Sequence, residues 1–223
     1  MTQLIGSISS YPARATLLWF GGMILIGGSC LCHPLCQTGR TPVGFIENLF
    51  TATSAACVTG LSVVSTPQDY SQVGQTVVLI LIQLGGIGIM TITTLIVVQL
   101  GGGNAGLRQR ALVSATLGAD TRADLRSILY PVILYTASIE LLGFGILAVR
   151  NLWDALPWPQ ALWNALFHAV SAFCNAGFAL HDNNLVGYQR DPVTNLAICG
   201  LIMVGGIGYP VMLDIKRNWN RPT

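Results

Sequence analysis

Phe50-Thr51-Ala52-Thr53-Ser54-Ala55-Ala56-Cys57-Val58-Thr59-Gly60-Leu61 and Phe167-His168-Ala169-Val170-Ser171-Ala172-Phe173-Cys174-Asn175-Ala176-Gly177-Phe178 decide how this chain folds. Leu49-Phe50 aligns with Leu166-Phe167, Ser54-Ala55 with Ser171-Ala172, Cys57 with Cys174 and Gly60 with Gly177, all at one offset of 117 residues and without a gap. Farther on, Gly85-Gly86-Ile87-Gly88 aligns with Gly205-Gly206-Ile207-Gly208 after a slip of three residues. Chance supplies one such match; several in corresponding places point to an internal duplication. Residues 48–68 and 155–180 carry no Asp, Glu, Lys or Arg and are too apolar for solvated loops. Helix-like apolar stretches, residues 45–56 and 162–173, lead in each case to the glycine. Neither segment is long enough to cross a bilayer and return as two helices, but a short helix that enters and comes back as extended chain fits. Non-helical backbone at that depth is tolerated only where it is buried in protein or lines a wet cavity, so a pore is implied.

The flanks agree. Residues 15–39 are free of Asp, Glu, Lys and Arg, with an apolar core at 17–32. Residues 70–107 are equally free, densest at 77–100; residues 127–149 hold one charge, Glu140; residues 192–213 hold none. Each approaches or exceeds the roughly 20 residues a helix needs to cross a ~30 Å hydrocarbon core. The expected fold class is therefore an all-α membrane protein with two tandem helix–pore loop–helix repeats: four transmembrane helices plus two re-entrant pore helices. The first repeat spans residues 12–100 and the second 126–215, joined by a cytosolic connection at 101–125 and followed by a cytosolic tail at 216–223.

Composition removes the competing classes. Hydrophobic residues make up 52% and charged residues 9%, where a soluble domain would hold roughly a quarter charged. Eleven Lys plus Arg against nine Asp plus Glu leave no basic face for nucleic acid. The 25 glycines follow no three-residue period, and the long apolar runs exclude collagen or disorder. Residues 1–11 contain no Lys or Arg, and the small residues Ala13 and Ala15 precede the apolar run, so the first helix is expected to be retained and not removed as a signal. With both termini inside, Arg14, Arg108, Arg110, Arg122, Arg126, Lys216, Arg217 and Arg221 are cytoplasmic, and only Arg40, Arg150 and Arg190 are outside. The positive-inside rule favours that topology.

A short helix ending near Ala56 or Phe173 turns the negative end of its dipole toward the membrane middle, where a cation is favoured. The chain that follows, Cys57-Val58-Thr59-Gly60 in one copy and Cys174-Asn175-Ala176-Gly177 in the other, can present carbonyls in place of water around an ion. Stripping a monovalent ion costs on the order of tens of kcal/mol, so several oxygens must converge. Gly60 and Gly177 can take the positive φ that turns a carbonyl toward an axis.

At these residues the sequence resembles a known family. The stretch 50–61, followed by Gln83-Leu84-Gly85-Gly86-Ile87-Gly88, resembles the first repeat of the Trk/Ktr/HKT potassium transporters. The stretch 167–178, followed by Gly205-Gly206-Ile207-Gly208-Tyr209-Pro210, resembles the second, and Ile139-Glu140-Leu141-Leu142-Gly143 is similar to that repeat's outer helix. The resemblance runs from about residue 17 to 214. It implies a potassium uptake subunit of the bacterial plasma membrane, with a filter of four such loops, one glycine from each, in pseudo-fourfold symmetry. Bacterial members usually associate with a cytosolic nucleotide-binding regulatory ring and often form dimers. This chain holds two of the four repeats, so it corresponds to the N-terminal half, and completing the pore requires the other two repeats or a second copy. The gating loop of the family's third repeat is not among these residues. No cofactor is expected; potassium is the transported ion, and the filter residues are its only expected metal contacts.

The remaining features read more plainly. The Gly85 and Gly205 blocks are expected to permit close helix packing. Cys30, Cys32, His33 and Cys36 crowd one helix end before Pro34 and are expected to pack without a metal or a disulfide. Glu140, the one acid inside a span, is expected to form buried hydrogen bonds supporting a pore helix, and His168 to be structural. Residues 104–125 are a plausible docking surface for a regulatory partner. An intramembrane enzyme is the rival class, but neither a Gly-x-Ser-x-Gly turn nor a His-Glu-x-x-His helix occurs, and no catalytic residue is assigned. Ser54, Ser171 and His168 would have to serve such an enzyme, which explains neither the duplication nor the glycines. A sodium-permeable or non-conducting, partner-binding version of the same fold is the other alternative.

Overall fold

A computed structural model describes residues 12–101, 125–209 and 211–212. Its elements in chain order are α1 (Pro12–Leu31), a 3-10 turn at Pro34–Cys36, α2 (Phe45–Ala56), the single turn α3 (Thr66–Asp69), α4 (Gln72–Gly101), α5 (Leu125–Trp153), α6 (Trp158–Phe173), a 3-10 turn at Val186–Tyr188 and α7 (Pro192–Ile207). Among the described residues there is no strand, only an isolated antiparallel bridge between Gln37 and Tyr70. The described residues are thus all-helical, as the all-α expectation has it. Most of the connection expected at 101–125, the tail at 216–223 and Pro210 lie outside the described residues, as do the side chains of Arg14 and Arg126.

Helix lengths follow the apolar runs. Gln72–Thr91 and Leu129–Trp153 are long and apolar enough to cross a bilayer, while Thr16–Leu31 and Pro192–Ile207 are shorter apolar helices. Leu17, Ile26, Tyr130, Leu141 and Leu196 stand exposed on these helices, a surface that lipid accommodates and water does not. Helix α2 has the bounds expected from the sequence. Helix α6 begins four residues earlier than the apolar stretch, at Trp158, because Pro159 sits in the first turn, where its missing N–H has no intrahelical partner to lose.

The described residues divide into two compact units, one drawn from 12–85 and 175–190, the other from 86–101, 125–174 and 191–212. In the first, α1 packs on α2, and Gly28 lets the Leu49 backbone approach to 3.3 Å from where a Cβ would stand. Leu31, Ala52, Ala55, Val78 and Ile82 fill its core beside a fully buried Tyr70. The Tyr70 hydroxyl donates to Asn48 Oδ1 at 2.9 Å, and Asn48 Nδ2 in turn donates to the Gly44 carbonyl at 2.9 Å.

Burial pushes the Tyr70 phenol from the ordinary 10 up to about 12. The fold therefore holds the phenolic proton more tightly than the unfolded chain does. Stability is intact below about pH 10 and is lost as the pH climbs toward 12. Tyr70→Phe removes that alkaline slope and leaves Asn48 Oδ1 short of a donor, at a cost of about 1–3 kcal/mol. Thermal unfolding of both proteins across this pH range checks it, and equal slopes would contradict the assignment.

In the second unit α5, α6 and α7 pack on one another around Val132, Ala165, Phe167, Phe173, Ile198 and Leu201. Asn151 Nδ2 donates to the Ala161 carbonyl at 3.1 Å, tying α5 to the first turn of α6. Asp191 caps α7, accepting from the Val193 N–H at 3.1 Å and the Thr194 hydroxyl at 2.6 Å, and it pairs with Arg150 Nε at 2.9 Å. The Thr194 hydroxyl and the Arg150 guanidinium hold its carboxyl below the usual range.

Helix α7 departs from the sequence expectation. The apolar run continues to residue 213, but the helix stops at Ile207, with Gly208 at φ 76° and ψ 162°. Helical conformation returns at Tyr209 and at 211–212. The Tyr135 hydroxyl donates to the Val204 carbonyl, one turn before the break, at 3.2 Å, and the Tyr135 and Tyr209 rings meet edge-on at 5.8 Å.

Candidate ion-coordinating site

The end of α2 shows why the chain leaves the helix where it does. Cys57 closes the helix at φ −87° and ψ 0°, and Val58 enters the left-handed region at φ 56°. The Val58 N–H then bonds the Ala55 carbonyl at 3.2 Å, and the Thr59 N–H bonds the Ser54 carbonyl at 2.9 Å. These two bonds define a Schellman cap, which satisfies last-turn carbonyls and sends the chain out extended. The Thr59 hydroxyl reinforces it, 3.1 Å from the same Ser54 carbonyl. Two residues after Val58 the chain is left-handed again, at Gly60, φ 77°.

At the end of α6 the backbone takes the same conformations in the same order. Cys174 stands at φ −72° and ψ −7°, Asn175 at φ 60° and Gly177 at φ 71°. The Cys57 N–H bonds Thr53 O and the Cys174 N–H bonds Val170 O, both at 2.9 Å. Val58 is β-branched and costs on the order of 1–2 kcal/mol in this region, whereas Asn175 tolerates it.

Gly60 meets Ala176 and Gly177 directly. A Cβ on Gly60 would stand 2.7 Å from the Ala176 oxygen and 3.2 Å from the Gly177 Cα, and one on Gly177 would stand 3.2 Å from the Gly60 Cα. No side chain fits between these backbones at Gly60. Of the eight sequence-assigned residues, Val58, Thr59 and Gly60 lie in the same unit as Asn175, Ala176 and Gly177, as does Cys57, while Cys174 belongs to the other unit.

Supporting glycines lie beneath each helix end. A Cβ on Gly85 would run into the Ala56 carbonyl oxygen, and one on Gly205 into that of Phe173. Ala56 and Phe173 are the last residues of α2 and α6, so both glycines give the close packing expected of them. Gly86 faces Cys174, whose Sγ would be 2.6 Å from a Cβ there, and the same thiol lies 3.9 Å from Glu140 Oε1. Buried Glu140 therefore reaches the residue that closes α6. His168 is nearly buried, with Nδ1 2.7 Å from the Asn164 carbonyl inside α6. Cys36 is buried and Cys30 exposed, and all six thiols are free. Two contacts had no sequence signal beyond a polar loop: Asn184 Nδ2 lies 3.3 Å from the Gly177 carbonyl oxygen, and Ser65 Oγ lies 3.4 Å from Asp182 Oδ1.

The family description for the cation transport protein TrkH matches residues 25–218. The chain belongs to the TrkH family. It is 42% identical over 207 residues to the Ktr system potassium uptake protein B of Bacillus subtilis, covering 93% of this chain and 46% of that protein. The protein of the same name from Vibrio alginolyticus is 34% identical, with 93% and 45% covered. The potassium/sodium uptake protein NtpJ of Enterococcus hirae is 31% identical, with 92% and 45% covered. The chain thus spans just under half the length of these TrkH-family relatives. The family is one of cation transport proteins and not of enzymes, and the glycine-turn resemblance extends over most of the chain.

Proposed function

We propose that the chain forms part of a potassium-conducting pore in the bacterial plasma membrane, supplying two of its four filter loops. The repeats are residues 12–100 and 126–215, with α2 and α6 as re-entrant pore helices and both termini cytoplasmic. The carbonyls of Cys57, Val58, Thr59 and Gly60, and of Cys174, Asn175, Ala176 and Gly177, replace the hydration shell of the ion. One observation carries this reading: Gly60 and Gly177, equivalent in the duplicated sequence, are both left-handed and stand backbone against backbone.

The chemistry follows from peptide groups alone. Each pore helix adds the negative end of its dipole, which favours a cation and rejects an anion. Backbone oxygens held by capped turns need little reorganisation when the ion arrives. The membrane potential supplies about 2.3 kcal/mol per charge per 100 mV, enough to drive uptake through a passive pathway. The relatives' names, potassium uptake and a Ktr system, support the ion and a multi-component assembly. The missing loops come from the other two repeats or from a second copy, and a cytosolic nucleotide-binding ring docks at residues 104–125.

Co-expression of the chain with the remaining repeats in a bacterium lacking potassium uptake is expected to restore growth on low potassium, and expression of the chain alone to restore it only where a second copy completes the pore. Equal restoration by sodium would favour the mixed potassium/sodium reading, which the name of the Enterococcus relative motivates. No uptake of either ion would leave a partner-binding fragment.

A further inference from the structure

The two glycine turns are alike in backbone but not in what stands beside them. Beyond Gly177 the chain runs through buried Phe178, Ala179 and Leu180, then turns at residues 181–185. Asn184 occupies the left-handed region of that turn at φ 56°, its N–H bonded to the His181 carbonyl at 3.1 Å. From there its side-chain amide reaches back to the Gly177 oxygen at 3.3 Å. The turn is fixed at two further points. The His181 and Tyr188 rings meet at 5.4 Å with Tyr188 Oη 3.4 Å from His181 Nε2, and Asp182 Oδ1 takes the Ser65 hydroxyl at 3.4 Å. At the offset of 117 residues the counterpart of Asn184 is Pro67, in the first turn of α3, which has no amide to offer Gly60.

We propose that Asn184 is a positioning residue for ion selection: its amide holds the Gly177 carbonyl and biases that ligand toward potassium over sodium. The inference rests on the reading of Gly177 as an ion ligand. A carbonyl oxygen has two lone pairs, so one can accept from Asn184 while the other faces an ion. Two effects then act in the same direction. Sodium is smaller and requires its ligands to move inward, which a tethered carbonyl resists. The amide also draws electron density from the oxygen, and a weaker ligand field favours the larger, more easily satisfied ion. Asparagine suits the position because it tolerates the left-handed conformation while carrying a donor.

Asn184→Gly removes the amide and relaxes the backbone, so loss of fold does not confound it. Asn184→Asp keeps the shape and turns a donor into an acceptor; its added charge attracts both monovalent ions, which leaves their ratio as the informative quantity. The full chain, labelled with 13C at glycine carbonyls and 15N at phenylalanine, is assembled with its unlabelled complementary repeats in lipid nanodiscs and titrated with potassium chloride or sodium chloride. Gly177 is one of three glycines followed by Phe, with Gly44 and Gly143. The Gly177 carbonyl resonance is expected to shift in both variants without added ion, and its potassium-to-sodium affinity ratio to fall about three- to tenfold, the worth of one hydrogen bond. A wild-type Gly177 resonance that responds to neither ion would sink the ligand reading and this inference with it. A responsive resonance whose ratio is the same in wild type, Asn184→Gly and Asn184→Asp overturns this inference alone.

Discussion

Gly205→Ala is expected to destabilise the second unit by about 2 kcal/mol or more, although alanine is the better helix former. Two effects oppose each other at this position. Replacing glycine by alanine in a helix interior gains up to about 1 kcal/mol. Against that, the new methyl would overlap the Phe173 carbonyl oxygen and stand 2.9 Å from the Phe173 carbonyl carbon and 3.4 Å from its Cα. Those atoms are the backbone of the last turn of α6, so they cannot rotate aside, and α6 and α7 must separate. The steric effect wins because its cost grows with every contact along that helix pair. Gly200, in the same helix, provides the internal control: nothing lies within 4 Å of a Cβ there, and Gly200→Ala is expected to be neutral or stabilising by up to about 1 kcal/mol. Thermal unfolding of the two variants in detergent separates them, and equal melting temperatures would contradict the packing role. Gly85→Ala, facing the Ala56 oxygen, is expected to behave like Gly205→Ala in the first unit.

How much of this was readable in the sequence depends on what fixed each feature. The bounds of α2 and the positions of Gly60 and Gly177 were legible because they are local: an apolar stretch, then a residue suited to a left-handed turn. The start of α6 was misplaced because Pro157 and Pro159 look like loop residues, although proline is at home in a first helical turn. The break at Gly208 has a local signal in Pro210, two residues on, which cannot continue a helix; Ile89-Met90 stand in the corresponding place after Gly88. Gly85-Gly86-Ile87-Gly88 is the same four residues, and α4 runs through it unbroken. Tertiary contacts accompany the break: the Tyr135 hydroxyl bonds the Val204 carbonyl one turn before it, and the Tyr135 ring also faces Phe173, at 6.0 Å. For Glu140 a buried role supporting a pore helix was legible in the sequence, but not its neighbour there, because Cys174 lies 34 residues away. Asn184 looked like any exposed loop asparagine, because a bond to a backbone carbonyl leaves no trace in side-chain patterning.

Gly60→Ala is expected to lower potassium preference over sodium more than Gly177→Ala does, although the two positions are equivalent in the duplication. Both glycines are left-handed, at φ 77° and 71°, so an alanine at either costs on the order of 1–2 kcal/mol in backbone strain. The surroundings then separate them. At Gly60 the methyl would meet the Ala176 carbonyl oxygen at 2.7 Å, one of the proposed ion ligands, and displace it. At Gly177 the nearest atoms are the Gly60 Cα at 3.2 Å and the Gly60 oxygen at 3.9 Å, so the methyl is nearly accommodated and that ligand is left in place. A ligand misplaced at a cost of about 1.4 kcal/mol in one ion relative to the other changes their ratio tenfold. Gly60→Ala is therefore expected to reduce the potassium-to-sodium uptake ratio by about tenfold or more, and Gly177→Ala by several-fold less. The measurement is uptake of both ions into vesicles carrying the chain together with its complementary repeats. A larger loss for Gly177→Ala would place the narrow contact elsewhere, and an unchanged ratio in both variants would remove these turns from the filter.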